Sequence, residues 1–191
     1  MEQRKLHTTP AAYRRQRQIE DCLFEKLQHI PYQSISVSDL CRQVGISRKA
    51  FYNYYQDKDA CFCAIVDRLI REAMIQAAAV PADASPMETV VAMLDFWKNQ
   101  KVFFDVLMRN SLYHFFLLRN IDYVLQEDQG VLKLLNTPEV HSDMDILACY
   151  VSSQITLVLQ WYFRGFDTPT EEMARKLLRL LHVPMFTQND A

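Results

Sequence analysis

The segment Ile35-Ser-Val-Ser-Asp-Leu-Cys-Arg-Gln-Val-Gly-Ile-Ser-Arg-Lys-Ala-Phe-Tyr-Asn-Tyr-Tyr-Gln-Asp-Lys58 spells two short helices with a tight turn between them. Ser36 precedes an apolar run, Val37, Leu40, Cys41 and Val44, whose spacing places all four on one helical face. Its hydroxyl can cap the backbone N–H groups of that first turn, and Asp39 stands where a capping box carries Glu or Gln. Gly45 supplies the positive φ that ends the helix, and Ser47 caps a second helix two residues later. So short a connection makes the helices cross steeply and frees the second to enter a DNA major groove. Arg48, Lys49, Tyr52, Asn53 and Tyr54 form its exposed set, suited to phosphates and base edges. An ordinary helical hairpin with a charged outer face leaves two adjacent cations and three tyrosines in one short helix unexplained.

Arg48 and Lys49 are the candidates for base edges, since Arg can bond a guanine in two places. Ser36, Ser38, Tyr52 and Tyr54 are read as phosphate contacts that set register. At these residues the sequence resembles the TetR family of transcriptional regulators. Gly45, Ile46, Ser47, Tyr52, Tyr55, Lys58 and Cys61 follow the family's run of turn glycine, apolar residue, cap, Tyr, Phe, Lys and Leu. Tyr55 stands for the usual Phe and Cys61 for the usual Leu, both at positions expected to face the core. Phe51 sits where family members carry a buried apolar residue. The resemblance runs from about Tyr13 to Leu69. It implies that Lys58, with the N-terminus of its helix, meets a DNA phosphate. It further implies a homodimer on a near-palindromic double-stranded operator, with a small effector bound in the body. The expected architecture is all-α: a three-helix DNA-binding domain over 1–58 and a larger regulatory and dimerisation domain over 59–191, about nine helices in all.

Charge supports this division. The chain has 191 residues, half of them hydrophobic and only three of them Gly, and a net charge of −2. Residues 1–58 hold ten Lys or Arg against six Asp or Glu, and residues 59–191 hold eleven against seventeen. A head at +4 on a body at −6 favours DNA at one end only. No apolar run reaches the length of a membrane span, and the first residues lack the apolar centre of a secretory signal. The cytoplasm is the expected compartment. Five cysteines, Cys22, Cys41, Cys61, Cys63 and Cys149, follow no disulfide framework. Cys61 and Cys63 point about 200° apart on a helix and cannot share a metal. Buried reduced thiols are expected, with no metal and no cofactor. An enzyme is not expected, because no phosphate loop, metal-ligand spacing or nucleophile with a base is present.

The helices outside the motif have clear punctuation. Thr9-Pro10 starts the first, which runs to about His29, with Arg14, Arg15 and Arg17 near its start and Arg4 and Lys5 before it. Asp57 caps one from Lys58 to about Ala79, and Ser85-Pro86-Met87-Glu88 opens another to about 99. Helices over 101–109 and 111–128, a loop over 136–143, and helices over 144–164 and from Thr168-Pro169-Thr170-Glu171 onward complete the chain. Trp161, Gly165, Glu171, Glu172 and Met173 resemble the closing run of a Gram-positive subgroup that includes activators of dihydroxyacetone-kinase genes; no ligand is carried across. Leu177 and Leu181, with the outer face of 144–164, are expected to form the dimer interface. Phe104, Tyr113, His114, Phe116 and Trp161 are the candidate lining of a pocket for a small apolar or aromatic effector, although a filled core would use the same residues. A regulator or DNA-anchored scaffold controlled by a protein partner, without a small ligand, is the alternative.

Overall fold

The computed structural model describes residues 9–81, 83–126 and 144–182. Arg4, Lys5, the 136–143 loop, and the side chains of Leu180 and Leu181 lie outside the described residues. Among the described residues there are nine α-helices and no strand: α1 (Pro10–Leu27), α2 (Val37–Val44), α3 (Arg48–Tyr54), α4 (Lys58–Ala78), α5 (Pro86–Lys98), α6 (Lys101–Arg109), α7 (Tyr113–Gln126), α8 (Met144–Phe163) and α9 (Thr170–His182). A single 3-10 turn, Tyr32–Ser34, joins α1 to α2. No described helix is long and apolar enough to cross a membrane.

The helix ends follow from local chemistry. Thr9 Oγ1 accepts the Ala12 N–H at 3.2 Å, with Pro10 in the first position. Ser85 Oγ accepts the Glu88 N–H at 3.3 Å while Glu88 accepts the Ser85 N–H at 2.7 Å. Those bonds from Ser85 hold the Glu88 carboxyl below its ordinary pKa. Asp57 Oδ1 accepts the Ala60 N–H at 2.7 Å and opens α4. Gly165 (φ 70°) closes α8, with the Phe166 N–H returning to Trp161 O at 2.9 Å. The start of α9 differs from expectation. The helix begins at Thr170, and the Thr168 hydroxyl donates to Asp167 instead of capping it.

The chain forms two compact units. The first combines residues up to Leu69 with Val102–Arg119, so it is larger than the 1–58 segment. Ile19, Leu23, Leu27, Leu40, Phe51, Phe62 and Ile65 fill its core together with Phe103, Phe104, Leu107 and Phe116. The rings of Phe103, Phe104 and Phe116 meet edge to face at 5.6–5.9 Å. Arg119 on α7 grips Asp67 on α4 with two bonds, 2.6 and 2.9 Å. The second unit, Ile70–Lys101 and Asn120–Ala191, packs α9 chiefly on α5 and also on α8. Val90, Leu94, Trp97, Val158, Trp161, Met173 and Leu177 are buried there. Leu177, 1% exposed within its own chain, is therefore a core residue and not the free interface residue its sequence stripe indicated. Met173, the stripe's other described member, is buried as well, on a helix that packs chiefly against α5.

A buried polar group joins α1 to the helices after it. The Tyr55 hydroxyl donates to Glu20 Oε1 at 2.7 Å, and Arg68 Nε lies 3.6 Å from Glu20 Oε2. A tyrosine where the family pattern has Phe needs such a partner once buried, and Glu20 supplies it. Burial pushes the Glu20 carboxyl above its ordinary value, and the Tyr55 hydroxyl and Arg68 pull only part of it back. Glu20 thus contributes stability that is complete below the ordinary value of 4.5 and fades as pH rises through the raised one. Glu20→Gln is expected to remove that component, so that its downward contribution to the thermal midpoint, which sets in as pH rises above 4.5, is lost. Cys22, Cys41 and Cys61 are buried as expected, Cys63 is half-buried with its thiol pushed up to about 11, and Cys149 departs from expectation by being exposed.

Candidate nucleic-acid interface

The interface is assembled from the two capped helices. Ser36 Oγ accepts the Asp39 N–H at 3.1 Å, and Asp39 accepts both the Ser36 hydroxyl (2.6 Å) and the Ser36 N–H (3.3 Å). These bonds, then the neighbouring Arg42 that pairs with Asp39, hold its carboxyl below the ordinary range. Gly45 takes φ 71° and returns the Ile46 N–H to Cys41 O at 2.9 Å. Ser47 Oγ then accepts the Ala50 N–H at 3.1 Å and starts α3. Nothing lies within 4 Å of a Cβ built on Gly45, so Gly45→Ala meets only backbone strain. It is expected to lower stability by about 1 kcal/mol, read as a lower urea midpoint with unchanged slope.

Phe51 anchors α3. It is fully buried, with the rings of Tyr52 and Tyr55 at 5.6 and 5.7 Å. That contact turns the opposite side of the helix outward: Ser47, Arg48, Lys49 and Asn53 are exposed, and Tyr52 and Tyr54 are half-buried. Arg48 Nη2 lies 3.4 Å from the Tyr52 hydroxyl, with its guanidinium 5.9 Å from the ring centre. The phenol thereby restricts where Arg48 can point. Ser36 and Ser38 are exposed at the start of α2. Tyr55 and Cys61 face the core, at 5% and 0% exposure.

Other assigned residues are placed differently. Lys58 is half-buried, and its ammonium donates to Tyr32 O at 2.5 Å and Ile35 O at 2.7 Å. Burial holds its pKa below the ordinary lysine value. Arg15 reaches back to Val44 O at 3.5 Å, tying α1 to the end of α2, while Arg14 is exposed. The five residues assigned to an effector pocket fall in both units and differ in burial. Phe104 and Phe116 are buried in the first unit, Trp161 in the second, and Tyr113 and His114 are exposed. Trp161 packs edge-on to Phe166 at 5.0 Å and donates through Nε1 to Thr168 O at 3.0 Å. Sequence reading missed Tyr32 and Asn110, whose bond at 2.8 Å spans 78 residues. No local pattern marks such a contact.

Residues 24–65 match the family described as bacterial regulatory proteins, tetR family. Over 173 residues, 87% of this chain and 43% of the relative, the sequence is 25% identical to the uncharacterized HTH-type transcriptional regulator YxbF of Bacillus subtilis (strain 168). The chain thus spans less than half the length of that curated relative. Among solved structures, a TetR transcriptional regulator from Streptococcus agalactiae 2603V is similar with a TM-score of 0.63 and 20% identity, covering 88% of this chain and 94% of that one. The dihydroxyacetone kinase operon activator DhaS is similar with a TM-score of 0.53 and 19% identity, covering 87% and 93%. At such identities the structural likeness shows a shared fold. The matched segment lies over the capped turn and its exposed second helix, so the likeness to bacterial regulatory proteins of the tetR family is carried by the helix-turn-helix segment of this chain.

Proposed function

We propose that this protein is a homodimeric, non-enzymatic regulator that reads a near-palindromic operator through α3, acting most simply as a repressor. The observation that carries the reading is the outward row Arg48, Lys49 and Asn53 on a helix locked from behind by Phe51. Arg48 and Lys49 take base edges. Ser36, Ser38, Ser47, Tyr52 and Tyr54 set register on phosphates, and Asn53 serves either. In this reading residues 1–58 are the DNA-binding domain, and residues 59–191 serve regulation and dimerisation. Light scattering at micromolar concentration is expected to give twice the chain mass. A monomer would remove both the dimer and the palindrome.

Control of the operator admits two forms. An apolar or aromatic effector would enter the helical body and be seen as a rise in thermal midpoint. The second form is control by a protein partner, without a small ligand. A screen of apolar metabolites by melting and operator affinity separates them. One compound that shifts both supports an effector, and none supports the partner.

A further inference from the structure

We propose that Asn110 is a positioning residue for DNA recognition: its buried side-chain amide holds the Tyr32 turn, and Lys58 passes that constraint to the entrance of α2. The inference rests on the DNA-binding reading above and adds a positioning contact to it.

Asn110 directly follows α6 and is 5% exposed. Its Oδ1 accepts the Tyr32 N–H at 2.8 Å, and its Nδ2 donates to Val106 O at 2.9 Å and Leu27 O at 3.3 Å. Next to it, Arg109 Nη1 donates to Gln28 O at 2.5 Å. The end of α6 therefore satisfies carbonyls that the last turn of α1 leaves without helical partners. A buried amide engaged in this way cannot be replaced by an apolar side chain without leaving backbone groups unpaired.

Tyr32 receives the constraint and passes it on. Its carbonyl accepts from Lys58 Nζ, its ring lies 3.9 Å from that ammonium, and its hydroxyl donates to Asp59. Lys58 also bonds Ile35 O, immediately before the Ser36 cap of α2. With two carbonyls and a ring around it, the Lys58 ammonium supports DNA binding by holding this turn and not by meeting a phosphate. Ser111 follows Asn110 at φ 55°, a left-handed conformation uncommon for a residue with a side chain. The Leu112 N–H fixes it by returning to Leu107 O at 2.9 Å. Strain of this kind persists where surrounding contacts over-determine a position, as they do here.

The test uses the full chain and a duplex carrying whatever motif the wild type enriches from a randomised DNA library. Affinities for that duplex and for a scrambled one are measured over a salt series at a temperature where circular dichroism shows each variant folded. Asn110→Ala is expected to weaken the enriched duplex by roughly tenfold, the scale of one buried hydrogen bond. Scrambled-duplex affinity, binding stoichiometry and salt slope should be unchanged. A merely structural defect would instead lower the active fraction and leave the dissociation constant of the remainder alone. Arg109→Ala, exposed and milder, should move affinity in the same direction and covers the case in which Asn110→Ala does not fold. Lys58→Met should lose affinity with an unchanged salt slope. A slope lower by about 0.9 for each of the dimer's two Lys58 contacts, about 1.8 in all, would mean that Lys58 meets a phosphate and would overturn its part. Wild-type affinity in folded Asn110→Ala, or in Arg109→Ala if the former is unfolded, would overturn the positioning role alone. A wild type that enriches no motif overturns the DNA-binding reading first, and this inference with it.

Discussion

Lys49→Ala is expected to lose specific DNA binding while the protein keeps its fold. Lys49 is exposed on α3, so its removal opens no cavity, and the thermal midpoint should stay within the small range of surface substitutions. A side chain that reads a base edge is worth about 1–3 kcal/mol of discrimination. A two-fold dimer makes the contact twice, so the combined loss is about 2–6 kcal/mol, at least thirtyfold in affinity. Specificity at one position of each half-site should relax. If Lys49 met only a phosphate, all sequences would weaken alike and the salt dependence would flatten. Tyr52→Ala is a less clean experiment. Tyr52 is half-buried against Phe51 and constrains Arg48, so truncation disturbs a neighbouring reader as well. Tyr52→Phe isolates the hydroxyl. Titration of labelled duplexes with the three variants measures all of these effects.

Trp161→Ala carries the largest expected cost in stability. The side chain is 0% exposed, edge-on to Phe166, and its Nε1 donates to Thr168 O. Deleting a buried aromatic of this size costs about 3–5 kcal/mol, a large part of the stability of an ordinary domain. Trp161→Phe keeps most of the packing and loses the hydrogen bond, at about 1 kcal/mol. Denaturant titrations give both values. The pair also distinguishes a core tryptophan from a ligand-facing one. Near-unchanged stability in Trp161→Ala, together with an altered response to an apolar compound, would restore Trp161 to an effector site.

What was legible in the sequence was local. Ser36 with Asp39, Gly45, Ser47, and Ser85 with Glu88 announce themselves because a cap and its partner lie three residues apart. These signals locate α2, α3 and α5 to within a residue, and with them the exposed row on α3. The contacts that hold α3 and its neighbours in place are long-range. Tyr55 meets Glu20 across 35 residues, and Asn110 meets Tyr32 across 78. In the sequence Asn110 is merely a polar break between two helices. Leu177 shows a second limit. It was placed on the correct element, but periodicity does not say whether a leucine faces a second subunit or the core of its own chain. The aromatic body shows the same ambiguity, since core and pocket draw on one set of residues.

Selection from a randomised duplex library by the purified full chain tests the central claim most directly. The expected product is an inverted repeat whose half-sites lie about 34–36 Å apart or a multiple of that. Arg48→Ala and Lys49→Ala should each change or abolish the enriched bases without changing the melting temperature. A chain that enriches no motif at physiological salt, or one whose motif survives both substitutions unchanged, would contradict the assignment of α3 as the reader.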